Sequence, residues 1–529
     1  MKRSKNLKAA MMAALIGTAL VTGCTGSKEA GQADAGTQSG AGTQAGTKTQ
    51  TGTENGPNTD TSEHVVLTMY CIGDEGGVYA EEHIKKLNEL LTEKINAEID
   101  PVMVSWGDYA TKLPMVWASG EAYDLTYISS WTNYFMEADK GAFMDITELF
   151  PAYAPLTYKE YEEKSYLDTT KVNGRLYMVP TNSLNYTTFF YNYREDLREK
   201  YNCPEITDME TFEIYLDTIK KNELGMSPYG NNGFEEYRYH AFLNEQDWSR
   251  PLEQANGFFV YDLKDPTKVF NVAETPEYEA FVKKSREYYE KGYWSQSIMA
   301  ETQASQELFT AGQAASCLAT IANSNTIYRD ISFQHPDWEI KIFSSDLASG
   351  MTERISVTND GMAVGAYSKN PERALMFLEL CYQDQEVYDM IQNGIEGVTY
   401  EKDRTTMTKW APEGADPSEI ALKNLGMGIR AEKFDLDFRD DSPLVKELEE
   451  QYAEVAVLPG LSGYSVKQDT ITPELAALKF VSDEYKIPME KGVTDPAEAL
   501  AVLRQKLKEA GADRVMEEIN SQIAVYLSE

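Results

Sequence analysis

Residues 172–193 read VNGRLYMVPTNSLNYTTFFYNY, and the parsing of this stretch decides the fold. Asn173-Gly174 stands between short apolar runs. Both residues tolerate positive φ, so the pair predicts a tight turn. Leu176-Tyr177-Met178-Val179 has strand composition, and Pro180 stops it. A polar patch follows, Thr181-Asn182-Ser183, and then a second extended run, Tyr186 to Tyr191. Polar side chains between two extended runs suit the floor of a cleft, where the chain crosses from one lobe to another.

The rest of the chain is long enough for such a partition. It has 529 residues, more than one domain's worth at about 100–200 residues each. It is 42% apolar, so sizeable cores are affordable, and its formal net charge is -36. That charge argues against nucleic acid, which needs a basic face for its phosphates. It argues equally against spreading on anionic lipid; solubility is its plain consequence.

The N-terminus is a targeting signal. Lys2, Arg3, Lys5 and Lys8 precede an apolar run, Ala9 to Val21, that is short for a membrane span. It ends Leu20-Val21-Thr22-Gly23-Cys24, which resembles the lipobox of bacterial lipoproteins, cut before the cysteine and lipidated on its thiol. Residues 1–23 are therefore read as signal peptide. Residues 24–63 are Gly, Thr, Gln, Ala and Ser with few apolar side chains, a tether with a reach of about 35 Å. The remaining cysteines, Cys71, Cys203, Cys317 and Cys381, are scattered. With four histidines in all, they suggest neither a zinc site nor a disulfide framework, and no metal or cofactor is expected.

From Val65 the pattern alternates. Val65–Tyr70 reads as a strand, with Asp74 and Glu75 in the glycine-rich turn after it. A helix carries Ile84, Leu87, Leu91 and Ile95 at helical spacing. A strand at 99–104, a helix at 109–118 and a strand at 124–128 follow, the last leading to Trp131 and Asn133. Alternation of this kind predicts a layered α/β lobe with a mainly parallel sheet, whose ligands gather beyond the carboxyl ends of its strands. Beyond residue 193, helices are expected at 209–221, 276–291 and 301–312. Leu318–Asn325 reads as a strand running into a polar loop. Asn370-Pro371 starts a helix, as does Asp495-Pro496 near the end of the chain, where a helical hairpin closes the sequence.

In this order, several short pieces resemble one family. They are Ala118-Ser119-Gly120 with Asp124, Gly141-Ala142-Phe143, Gly174-Arg175-Leu176-Tyr177 with Pro180, Phe309 with Gly312 and Ala314, and the return through Ser368 to Leu375. Together with the lipobox and tether, the chain resembles bacterial extracellular solute-binding lipoproteins of ABC importers, in the family 1, carbohydrate-type group. Gly394-Ile395-Glu396-Gly397 with Tyr400, and the tail from Phe434, are similar to the LipO-like subgroup with an added C-terminal domain. The resemblance implies a two-lobed, periplasmic-binding-protein-like α/β fold with hinge crossovers. Lobe 1 takes 65–182 and 355–392, and lobe 2 takes 183–354 and 393–470. A helical extension, 471–529, packs on them.

It also implies a small-molecule solute, an oligosaccharide, held in the interlobe cleft and passed to ABC permease subunits by a monomer lipid-anchored at Cys24 on the extracytoplasmic face. Sugars present hydroxyls to planar polar groups and C–H faces to aromatic rings, and an unmatched buried polar group costs about 1–3 kcal/mol. The ligand-binding set expected on these grounds is Asp74, Glu75, Trp131, Asn133, Asn182, Tyr186, Asn323, Asn325, Asp360 and Glu396. Each has a plainer role to set against it: core packing for Trp131, hinge hydrogen bonds for Asn182 and Tyr186, helix capping for Asp74 and Glu75, turn chemistry for Asn323, Asn325 and Asp360, and a tight loop for Glu396. The acidic run Asp435-x-Asp437-x-x-Asp440-Asp441 lacks the glycine and the closing glutamate of a calcium loop and reads as solvated. Two other functions stand beside transport: a surface-anchored glycosidase using a carboxylate pair, and a receptor of the same fold that does not transport. No GxSxG, HExxH or P-loop pattern favours an enzyme.

Overall fold

β-branched and aromatic residues make Val65–Ile72 (β1) an extended segment, with Leu67 and Met69 facing inward. The helix Ala80–Ile95 (α1) covers it with His83, Leu87, Leu91 and Ile95 on its buried face. Asn96 ends that helix in the left-handed conformation at φ 49°, and the chain turns back into Ala97–Val104 (β2). The helix Tyr109–Ala118 (α2) leads to Leu125–Ile128 (β3). β1 pairs in parallel with both β2 and β3, which is the expected layered lobe. The five-stranded sheet is completed by Gly361–Val364, antiparallel to β3, and by the two-residue strand Val179–Pro180 (β4). The coordinates are a computed structural model and describe residues 60–183, 185–231, 237–252, 255–347 and 351–528. The signal peptide, Cys24 and most of the tether lie outside the described residues.

The turn at Asn173-Gly174 forms as expected, with φ values of 50° and 77° and Val172 bridged to Arg175. The second extended run begins later than expected, at Phe189–Arg194 (β5). β5 is the centre of a three-stranded antiparallel sheet with Ser316–Thr320 and Ile340–Phe343. The helices Met209–Asn222, Pro276–Lys291 and Ile321–Gln334 belong to this half. The last of these corrects the reading of 318–325. The polar Asn-Ser-Asn segment is the first turn of a helix, capped where the Thr320 hydroxyl accepts from the Asn323 N–H at 3.3 Å.

Between the halves the chain passes side by side with itself. Thr181 N–H donates to the Asp360 carbonyl at 3.0 Å, Ile355 N–H to Asn185 at 2.9 Å, and Thr187 N–H to Glu353 at 3.0 Å. A third strand joins them. Asn182 N–H donates to Arg430 O at 2.7 Å, and Glu432 N–H returns to Asn182 O at 3.0 Å. Leu425, Ile429 and Ala431 pack into the first lobe's core, not with lobe 2 as expected, because the chain between them comes down on the sheet, Gly428 lying against Gly361 and Met362. Residues 60–63, expected in the tether, are held against that lobe. The buried Arg373 guanidinium donates to the carbonyls of Asp60 (3.0 Å), Glu63 (3.3 Å) and Asn96 (2.8 Å).

The C-terminal helices Pro496–Glu509 and Ala512–Tyr526 share one apolar core with the hairpin 259–271 and the helix Pro276–Lys291. Leu503, Leu507, Ile519 and Ile523 are fully buried there. Polar bonds cross the same seam: Tyr278 to Glu490 at 3.0 Å, and the Trp294 indole to Lys491 O at 3.1 Å. The buried Lys486 pairs with Glu490 at 3.1 Å.

Candidate functional site

Extended chain alternates its side chains, so Thr181 and Ser183 share a face and Asn182 takes the other. Thr181 and Ser183 line a cavity of about 350 Å³ at the crossover. Asp360 stands beside them, at the entry to the strand Gly361–Val364 and next to the carboxyl end of β3. The rest of the lining includes Lys409, Asn424, Arg430, Asp435 and Asp437. A second compartment of about 270 Å³ shares Gln392, Asn424 and Gly426 with the first and adds Asp74, Trp106 and Lys423. The two compartments form one groove beyond the ends of β1 and β3, where a parallel sheet offers its binding crevice.

Asp360 is the group with the least ordinary environment. Its carboxylate accepts from the Tyr127 hydroxyl, from Asn359 at 2.8 Å and from the Trp131 indole. Burial pushes its pKa up, and those hydrogen bonds only partly oppose the rise. Across the cavity, burial brings the Lys409 ammonium down to about 8. Lys409 donates to Asn393 at 2.8 Å and lies 4.5 Å from the Phe438 ring. Arg430 is paired with Asp435 at 2.8 Å, and Asp435 also accepts from the Tyr388 hydroxyl. The Ser183 hydroxyl is buried and has no hydrogen-bond partner among the described residues. Carboxylate, amide and hydroxyl groups so arranged can match the alternating donors and acceptors of a polyol.

The expected set divides. Asp360 and Asp74 line the groove. Trp131 stands behind it: its ring stacks on Trp106 at 6.3 Å and 18°, and meets Tyr109 edge-on at 5.4 Å. Glu75 is at the margin, tied to Lys423 at 2.6 Å. Asn133 adopts φ 69° where the helix Tyr134–Asp139 begins. Asn182 faces away from the cavity. It is 2% exposed, accepts from Lys164 at 2.7 Å and donates to Glu160 at 2.6 Å. Tyr186 stacks on Tyr452 at 6.3 Å. Asn323 sits in the first turn of the helix Ile321–Gln334, and Asn325 accepts from Ser442 N–H at 3.2 Å. Glu396 is exposed and paired with Lys402 at 3.0 Å. The acidic run is not simply solvated. Asp435 pairs with Arg430 and Asp441 with Arg329, which ties it to both halves. Among the described residues, no group of three or more His, Cys, Asp or Glu side chains is placed to hold a metal ion.

Trp106, Lys409, Gln392, Asn424 and Arg430 escaped the sequence reading. Trp106 was accessible to it: this residue follows β2 as Trp131 follows β3, and the same strand-end rule selects both. The others reach the groove from segments far away in sequence and carry no local signal.

With this geometry in hand, comparison with known proteins is informative. A family model described as bacterial extracellular solute-binding protein matches residues 75–387, and one described as a domain of unknown function matches 460–528. A carbohydrate ABC transporter substrate-binding protein of Streptococcus pneumoniae serotype 4 (strain ATCC BAA-334 / TIGR4) is 25% identical over 474 residues, 88% of this chain and 92% of the relative. Among solved structures, the N-glycan transport solute binding protein of Streptococcus pneumoniae aligns with a TM-score of 0.73 at 23% identity, covering 88% of this chain and 99% of that one. The alginate-binding protein AlgQ2 aligns with a TM-score of 0.63 at 17% identity, covering 88% and 100%. At these identities, the structural likenesses speak for the two-lobed fold.

Proposed function

The chain belongs to the bacterial extracellular solute-binding proteins, and from that membership we propose that it captures an oligosaccharide in the groove between its lobes and delivers it to an ABC permease. The single observation that carries the reading is the groove itself. It runs past the crossing strands and joins a half-buried carboxylate, amides and hydroxyls to an open tryptophan face. A relative matched over 92% of its length is a carbohydrate ABC transporter substrate-binding protein, and neighbours of the same fold were solved in complex with Man1GlcNAc and Man5GlcNAc.

Closure is a hinge motion about the three crossing segments near residues 181–188, 352–360 and 430–432, and solute favours the closed state. The protein changes nothing covalent in what it binds. It acts at the extracytoplasmic face, held by lipid on Cys24.

Titration of a glycan panel by calorimetry, with product analysis on the same samples, tests the reading. One equivalent bound per chain with the glycan recovered intact is expected. Cleaved glycan would move the protein to the glycosidase class, and loss of uptake in cells lacking the permease separates an importer from a stationary receptor. Cys24→Ser should shift the protein from the membrane fraction to the soluble one; unchanged membrane attachment would overturn the anchor.

A further inference from the structure

The charges around the groove are unevenly satisfied. On the first compartment's wall, Arg430 is engaged by Asp435, and Lys409 stands in a mixed field, with Asp435 and Asp441 opposed by Arg329 and Arg430. In the second, Lys423 is held by Glu75 at 2.6 Å and by Glu81 at 3.4 Å. Arg430 and Lys423 are thus already paired with carboxylates, and Lys409 is bonded to the Asn393 amide. Asp360 is different. Its hydrogen-bond donors are a phenol, an amide and an indole, all neutral, and Arg430 acts on it only through space. Asp74 lies exposed at the other end of the groove, on the same side as the carboxyl end of β1. A guest therefore meets carboxylates whose charge no contacting cation cancels, across a half-buried space in which charge is weakly screened.

Building on the solute-capture reading, we propose that the groove admits saccharide units without negative charge and rejects uronate, sialyl and sulfated units, with Asp360 as the specificity-determining residue. A neutral sugar offers hydroxyl protons to the Asp360 carboxylate, which is acceptor-only when ionised, and completes its coordination. A carboxylate or sulfate brings a second acceptor and a like charge. Two such charges about 5 Å apart at an effective dielectric of about 20 cost roughly 100-fold in affinity.

The test uses the full-length protein against matched glycan pairs that differ only by a carboxylate or sulfate on one unit, read by calorimetry at neutral pH. Neutral members are expected to bind about 100-fold more tightly than their acidic counterparts. Asp360→Asn keeps the shape and removes the charge. It should weaken the neutral member about 10-fold and shrink the neutral-to-acidic ratio toward unity, a change that a purely structural role would not produce. Lys409→Met should leave acidic glycans excluded. Equal or tighter binding of acidic members overturns the proposal, as does an Asp360→Asn variant with an unchanged ratio and a native melting temperature. Acidic binding that depends on Lys409 overturns it in favour of a cationic subsite. If no glycan of either class binds, the capture reading fails first and the inference with it.

Discussion

Trp106 and Trp131 stack on each other, yet only Trp106 keeps 47% of its surface open. Trp131 is half-buried, bonds Asp360 through its indole and packs on the first lobe's core. The two rings therefore separate binding from folding. Trp106→Ala should weaken glycan binding about 10-fold and leave the melting temperature nearly unchanged, since one aromatic contact is worth about 1 kcal/mol beyond its area. Trp131→Ala should lower stability by about 3 kcal/mol in denaturant titration as well as binding. Equal stability losses in both variants would contradict this division. Strand-end position brought Trp131 and Asp74 into view from sequence alone, because the rule needs only the order of elements. Asn182 shows where such reading stops. Its neighbours Thr181 and Ser183 face the cavity, and a one-residue alternation turns Asn182 into the first lobe. Only the register of the crossing strands settles which parity points where.

The crossover is clamped by one side chain from the helix Pro155–Glu163. Glu160 receives hydrogen bonds from Lys433 at 2.9 Å, Lys164 at 3.0 Å, Asn182 and Gln383. Burial alone would raise its pKa, but these donors outweigh burial and bring it to about 2. A folded pKa below the unfolded value near 4.5 means stability that is complete above pH 4.5 and is lost as pH falls toward 2. Thermal melts of Glu160→Gln should lie below wild type at pH 6 and converge with it as the pH approaches 2. A constant offset across that window would refute the clamp.

Elements with strong apolar periodicity, such as Ala80–Ile95 and Pro276–Lys291, were legible because each buries one stripe. The helix Ile321–Gln334 was not. Its Asn-Ser-Asn start has weak helix propensity, and its helicity comes from burying Ser324, Ile327 and Ile331 against the second sheet.

At the scale of the whole molecule, the C-terminal segment completes the second lobe's interior. Leu461, Leu478, Leu503, Val515 and Ile519 share one core with Phe258, Val260, Val272 and Tyr278. A chain ending at Pro459 should therefore lose cooperative unfolding in calorimetry and collect in the insoluble fraction. A soluble truncation that melts like the intact protein would show the segment to be dispensable. The layered first lobe could be anticipated from alternating patterns, the crossover from the polar patch at 181–183, and the second lobe from the family resemblance. The meeting of residues 393–437 with Asp360 could not, because no local period encodes which distant walls face each other. Arg373, gathering the carbonyls of Asp60, Glu63 and Asn96, carries a mechanical consequence. A load applied at Asp60 enters the first sheet through Arg373 and bypasses the crossing strands. Under the proposed anchor and hinge, the first lobe is the door-frame and the second the door.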